Sequence, residues 1–162
     1  MPSGATSFAA ELIVEAQARE EPVAWIAGCR SIFYPPDFAA SGVDLDGVAV
    51  VWAKGTVESA FAVDLLLRSG SFGLIIVDLG TDWRISDSAL GRLARLAELN
   101  TCAVVFLTTK HRDEQSLGSM IAVRGSVSSE PPLSSAIRII KNKHGVTGAV
   151  VRRSFDAPPG MR

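Results

Sequence analysis

The stretch Ser3-Gly4-Ala5-Thr6-Ser7 stands at the start of an amphipathic segment and reads like the second half of a phosphate-binding loop. In that loop a glycine-rich turn ends in Gly-Lys-Ser/Thr and a helix follows at once. The lysine supplies positive charge to the phosphates, and the hydroxyl reaches magnesium. Here the glycine and both hydroxyls are kept, and Ala5 stands where the lysine would. Two readings are open: a nucleotide site that has lost its charge, or an ordinary Ser/Thr-rich helix start. Backbone N–H groups at a helix N-terminus hold an anion without any lysine, so weak ATP or phosphate binding at Gly4, Ala5 and Thr6 survives in the first reading.

Two basic clusters come next. Lys110-His111-Arg112 opens a polar stretch that also holds Arg124, and Lys141 and Lys143 stand with His144 in "KNKHG". Read as function, they contact DNA or a neighbouring protein. Read as structure, they are solvated turn residues, and lysine on an edge strand discourages further pairing. Asp113 and Glu114 dilute the first cluster, and residues 110–132 contain no Phe, Tyr or Trp for bases to stack on. Trp83 is either a contact residue or folded onto the core. Glu11, Glu15, Glu20 and Glu21 form an acidic face that is solvated or docks a partner. His111 and His144 lack companions at metal-ligand spacing, so no metal site is expected. No Ser-His-Asp or Cys-His series supports nucleophilic catalysis.

These residues need a scaffold, and the 162-residue chain can build one: it is 48% hydrophobic and 20% charged. That suits one domain with a real core. The expected limits are residues 1–154, with 155–162 as a frayed tail. A net charge of −1 argues against a nucleic-acid binder driven by bulk electrostatics. The charge is uneven: residues 1–80 hold 4 Lys/Arg against 10 Asp/Glu, and residues 81–162 hold 12 against 7. Such polarity fits head-to-tail association, an acidic partner for one end, or chance with solvated loops. Cys29 and Cys102 show no CxxC spacing and are expected to be buried free thiols in a reducing compartment. No signal peptide and no membrane-length apolar run is visible, so a cytoplasmic protein without membrane contact is expected.

Helical patterns alternate with apolar runs. Helices are expected over 6–19, capped by Thr6 or Ser7, over a short segment closed by Gly42, from Thr56 as cap to Arg68, and from Ser86-Asp87 onward. Strands are expected at 22–27, 48–53, 73–78 and from Cys102. The third, "GLIIVD", is apolar on both faces as a central parallel strand should be. Residues 110–132 read as a long loop. Residues 136–141 and 147–153 read as an antiparallel hairpin extending one edge of the sheet. The fold class is therefore α/β, a three-layer sandwich with a mostly parallel central sheet and a C-terminal antiparallel hairpin. No strand precedes the loop-like start, so the phosphate-loop strand is either missing or truncated.

The ordered series "SGATS", "EAQAREEPVAWI", "GVDLDGVAVV", "LLRSGSFGLIIVDLG", "CAVVFLTT" and "SAIRIIKNKHG" resembles the ATPase core of RecA recombinases. It resembles more closely the ImuA family, the RecA-like accessory proteins of bacterial translesion mutasomes. The likeness covers residues 3–148, and it rests on the order of the segments rather than on one motif. It implies a RecA-like fold and a degenerate nucleotide site. The phosphate-loop lysine matches Ala5. The catalytic glutamate matches a position within Ala27-Gly28-Cys29-Arg30, where no carboxylate stands. An aromatic near the base matches Phe38, and the γ-phosphate-sensing pair matches Thr108 and Thr109. The aspartate that reaches magnesium through water is kept as Asp78. Without ATP, Asp78 would serve as a cap or bond to the loop at 80–82. Lys141-Asn142-Lys143 keeps a "KNK" that reaches across a filament interface, and the loop from Lys110 corresponds to one that inserts into DNA.

Phosphoryl transfer needs charge neutralisation and an oriented water. Each missing group removes on the order of several kcal/mol of transition-state stabilisation. The resemblance thus implies a pseudo-ATPase without a catalytic residue or a required cofactor. It implies SOS-induced mutagenesis and DNA repair as the setting, close to the nucleoid. The implied partners are RecA, an ImuB-type inactive Y-family polymerase and an error-prone polymerase III alpha-type subunit. The alternatives are a divergent ATPase that borrows Lys141 or Lys143 in trans, and a single-stranded-DNA module using Lys110 and Arg112.

Overall fold

Helix α1, Gly4–Ala18, buries Phe8, Ala9, Ile13 and Ala16, a spacing that keeps one stripe of the helix against the core. The computed structural model describes residues 4–29, 31, 33–81, 84–130 and 134–154. Contacts divide the chain into two units, Met1–Lys110 and His111–Arg162. The expectations for Arg30, Asp82, Trp83 and the tail at 155–162 lie outside the described residues.

In the first unit α1 is followed by β1 (Val23–Ala27), α2 (Pro35–Ala40), a 3-10 turn (Leu45–Gly47) and β2 (Val48–Trp52). Then come α3 (Thr56–Ser69), β3 (Leu74–Gly80), α4 (Asp87–Leu99) and β4 (Ala103–Thr108). Proline at the start of α2 removes N–H groups that the first turn leaves unbonded anyway. The four strands are all parallel, in the order β2-β1-β3-β4. Every residue of β1 is buried, and so is β3 from Leu74 to Leu79. Successive side chains point to opposite faces. Val23, Trp25, Ala27, Leu74 and Ile76 share a core cluster with α1 and with Phe38 of α2. Ala24, Ile26, Ile75 and Val77 therefore face the other side, where α3 packs on β1 and β3 and against α4. This gives an α/β unit of three layers. Asp64 of α3 pins α4, accepting Arg92 Nε and Nη2 at 2.6 and 2.9 Å as well as Arg68 at 2.9 Å.

The second unit is a separate three-stranded antiparallel sheet, β5 (Val123–Glu130), β6 (Ser134–Asn142) and β7 (Val150–Ser154), in the order β5-β6-β7. This corrects two expectations. The last strands do not extend the parallel sheet, because β6 pairs with β5 on one side and β7 on the other. The second half of the stretch read as a loop is β5. Its Gly- and Ser-rich sequence lacks strand propensity. It is held by register with β6 instead, Val127 opposite Ile137 and Ser128 opposite Ala136.

Turn chemistry follows the sequence in part. Gly70 closes α3 in the left-handed region at φ 65°, and Ser86 caps α4 by accepting the Ala89 N–H at 3.3 Å. Thr56 is not the cap of α3: Gly55 holds that place. Thr6 does not cap α1 either. It lies inside the helix and is only 3% exposed. Among the described residues no helix is long and apolar enough to cross a membrane.

Candidate functional site

Ligands in open parallel sheets bind beyond the carboxyl ends of the strands, where neighbouring connections leave toward opposite faces. That point lies between β1 and β3. The chain leaving β1 runs to α2 on the face of α1, and the chain leaving β3 runs to α4 on the other face. Gly28, directly after β1, donates its N–H to the Asp78 carbonyl at 3.0 Å. The two strand ends are thereby locked together.

Asp78 continues the alternation of Leu74 and Ile76, so its side chain belongs to the face covered by α1. It is 4% exposed and accepts the Ser31 hydroxyl at 2.7 Å. Ser31 in turn accepts the Trp25 indole N–H at 3.4 Å and the Phe33 N–H at 3.2 Å. One carboxylate and one hydroxyl thus fix the loop between β1 and α2. Phe38 is fully engaged in the core, with its ring 5.0 Å from Trp25 in an edge-on contact and 4.8 Å from Phe33. Thr109 donates its N–H and its hydroxyl to the Gly80 carbonyl at 3.0 and 3.2 Å. Gly4 and Ala5 begin α1, on the same face of the sheet as Asp78.

The opposite face holds a feature the sequence reading missed. A cleft of about 290 Å³ opens between the strand ends and the first turn of α3. Gly28 and Cys29 line it just after β1, Leu79 and Thr81 at the end of β3, and Gly55, Thr56 and Ser59 at the start of α3. The Ser59 hydroxyl is fully buried, and it is the one buried side-chain oxygen or nitrogen without a hydrogen-bond partner among the described residues. The sequence signal was present in "WAKGT", a Gly-Thr pair at a strand-to-helix junction.

Cys29 is exposed, contrary to expectation, because it lies beyond the end of β1 and outside the packed layer. Its thiol donates to the Lys54 carbonyl. Cys102 is buried as expected, and burial, followed by the Glu21 carboxylate, pushes its thiol from the ordinary 9.0 up to about 11. A thiol-reactive reagent at pH 8 should therefore label Cys29 quickly and Cys102 only after unfolding, as peptide mapping would read out. The folded protein keeps the Cys102 proton at a pH where the unfolded chain has released it. Stability should then be intact below pH 9 and fall as the pH climbs towards 11, a loss that Cys102→Ala should abolish in denaturation curves.

The basic candidates are dispersed. Lys110 ends the first unit and is half-buried. His111 and Arg112 are exposed and share Asp113, at 3.8 and 3.5 Å. Arg124 donates to the carbonyls of His111, at 2.7 Å, and Glu114. Lys141 is half-buried and reaches the Ser116 hydroxyl and the Gly118 carbonyl at 3.3 and 3.4 Å. Lys143 is exposed at the end of β6. Among the described residues no three His, Cys, Asp or Glu side chains gather as metal ligands. The outer face of α3 exposes Val57, Phe61 and Leu65 in one stripe, four residues apart.

No protein-family model matches this chain, and no curated protein is significantly similar to it.

Proposed function

We propose that this chain is a RecA-like accessory protein of the ImuA type, without catalysis of its own, that acts by protein contact in SOS-induced translesion synthesis. The observation that carries the reading is Asp78. The carboxylate that would serve magnesium is buried and accepts the Ser31 hydroxyl at 2.7 Å. Nearby on the same sheet face, Ala5 offers no charge to a triphosphate. Phe38, matched to a base-contacting aromatic, is enclosed by Trp25 and Phe33. The apolar stripe on α3 is the kind of surface that contact-based proteins expose. The proposed partners are RecA, an ImuB-type inactive polymerase and an error-prone polymerase III alpha-type subunit. Direct DNA contact is not favoured, since Asp113 accompanies both His111 and Arg112.

Titration calorimetry with ATP and magnesium should show no phosphate release and no binding that depends on Asp78. A pull-down should retain RecA or the ImuB-type partner. Asp78→Ala should lower stability by about 1.5–3 kcal/mol, the range for a hydrogen bond to a charged group. Ser31→Ala should remove much of the same energy, so the double variant should fall short of the sum. Micromolar ATP binding with turnover, both lost in Asp78→Asn, would overturn the reading.

A further inference from the structure

We infer that the cleft on the α3 side of the sheet is a binding site for one phosphate group, free or carried by a small monoester, with the Ser59 hydroxyl as its buried donor. The inference is independent of the function proposed above, because Asp78, Ala5 and Thr6 belong to the opposite face.

Three observations meet in this cleft. The first is the N-terminus of α3, a helix of 14 residues. The N–H groups of a first helical turn have no partner within the helix, and they carry a partial positive charge. Gly55 at the cap position has no side chain to accept them. Glu58 does not accept them either, since its carboxylate reaches back to the Lys54 N–H at 2.8 Å. The second is Ser59, one turn into the helix. Its N–H is bonded to the Gly55 carbonyl at 2.9 Å, but its buried hydroxyl has no partner among the described residues. A buried hydroxyl left unpaired is destabilising, and native structures seldom keep one without a reason. An acceptor entering the cleft removes that penalty. The third is position, at the strand ends where connections diverge to opposite faces of the sheet.

The lining chemistry selects the ligand. Thr56, Ser59 and Thr81 bring hydroxyl groups to the lining, and Gly55 puts no side chain at the helix start. Among the described residues that line the cleft there is no carboxylate to repel an anion. Lys54 is exposed beside Gly55. The opposing charge on the same element is Glu58, whose carboxylate is turned back to accept the Lys54 backbone N–H, while Asp78 is held by Ser31 across the sheet. A volume of about 290 Å³ takes a phosphate with a small substituent and falls just below the usual range for drug-sized ligands.

The test is an amide-resolved NMR titration of the full chain with inorganic phosphate, against sodium chloride at equal ionic strength, and then with glycerol phosphate. Saturable shifts are expected at Thr56, Val57, Glu58 and Ser59 with phosphate and not with chloride. Phosphate should also slow thiol labelling of Cys29 at the rim. Equal affinity for both phosphates identifies the free anion as the ligand, and tighter binding of glycerol phosphate identifies an ester. Ser59→Ala should raise the thermal midpoint without phosphate and weaken phosphate binding about tenfold. Absence of saturable shifts, equal shifts with chloride, shifts centred on Gly4 to Ser7, or unchanged affinity in Ser59→Ala would each overturn the inference.

Discussion

Trp25→Ala should lower the free energy of unfolding by about 3–5 kcal/mol, the range for truncating a large buried aromatic. Trp25 is the largest fully buried side chain and sits at the middle of β1, between Val50 and Ile76 of its neighbours. Its ring lies 5.1 Å from Phe33 and 5.0 Å from Phe38, so the truncation strips two aromatic contacts along with the buried area. The indole also donates to Ser31, which holds Asp78. Urea unfolding should show the lower midpoint. Trp25→Phe should recover most of the packing and lose only the indole bond, about 1 kcal/mol. If Trp25→Phe were as damaging as Trp25→Ala, the polar link to Ser31 would outweigh the aromatic cluster. Phe38→Ala should couple to Trp25→Ala by more than distant pairs do, because the rings touch.

The parallel unit was legible because its signals are redundant. The five residues of β1 are all buried, and β3 is buried on both faces, as an unbroken apolar run predicts. Helical patterns between the runs then require parallel crossovers. Helix α4 begins at Asp87, where the Ser86-Asp87 pair put its start, and Ser86 is its cap. The second unit was less legible. In β5, "VRGSVSSE" shows no steady alternation, and its strand character comes from β6, which sequence alone does not place beside it.

The candidate site divides the same way. Asp78 could be singled out because an aspartate ends an apolar strand. Its partner Ser31 could not, since the two lie 47 residues apart and a serine in a loop carries no signal of its own. Ser59 was hidden for a related reason: a serine in a helix reads as a neutral surface residue, yet helix phase turns this one into the core. The Cys29 expectation failed by one position. Burial ends at Gly28, and the residue after it is already at the rim of the cleft.

Gly28→Val is expected to cost several kcal/mol and to disturb the cleft together with the fold. A Cβ on Gly28 would lie 2.7 Å from the Asp78 carbonyl oxygen and 3.8 Å from Leu79 Cα. The atom in the way is backbone of a central strand, so it cannot swing aside as a side-chain tip would. Relief requires β1 and β3 to part at their ends, which strains the 3.0 Å bond from the Gly28 N–H. Overpacking of a tight core typically costs about 1–3 kcal/mol, and Gly28→Ala should fall in that range, with valine above it. The penalty is one of contact, because Gly28 is not among the glycines with positive φ. Gly91 is the control. It lies inside α4 with nothing within 4 Å of an added Cβ, so Gly91→Ala should stabilise by about 0.5–1 kcal/mol through helix propensity. Urea midpoints of the variants test the contrast. Thiol labelling of Cys29 extends it, because parting the strand ends should change Cys29 reactivity in Gly28→Ala and leave it unchanged in Gly91→Ala. A Gly28→Ala protein as stable as the parent would mean that the strand ends are not locked, and the cleft between them would lose its rigid floor.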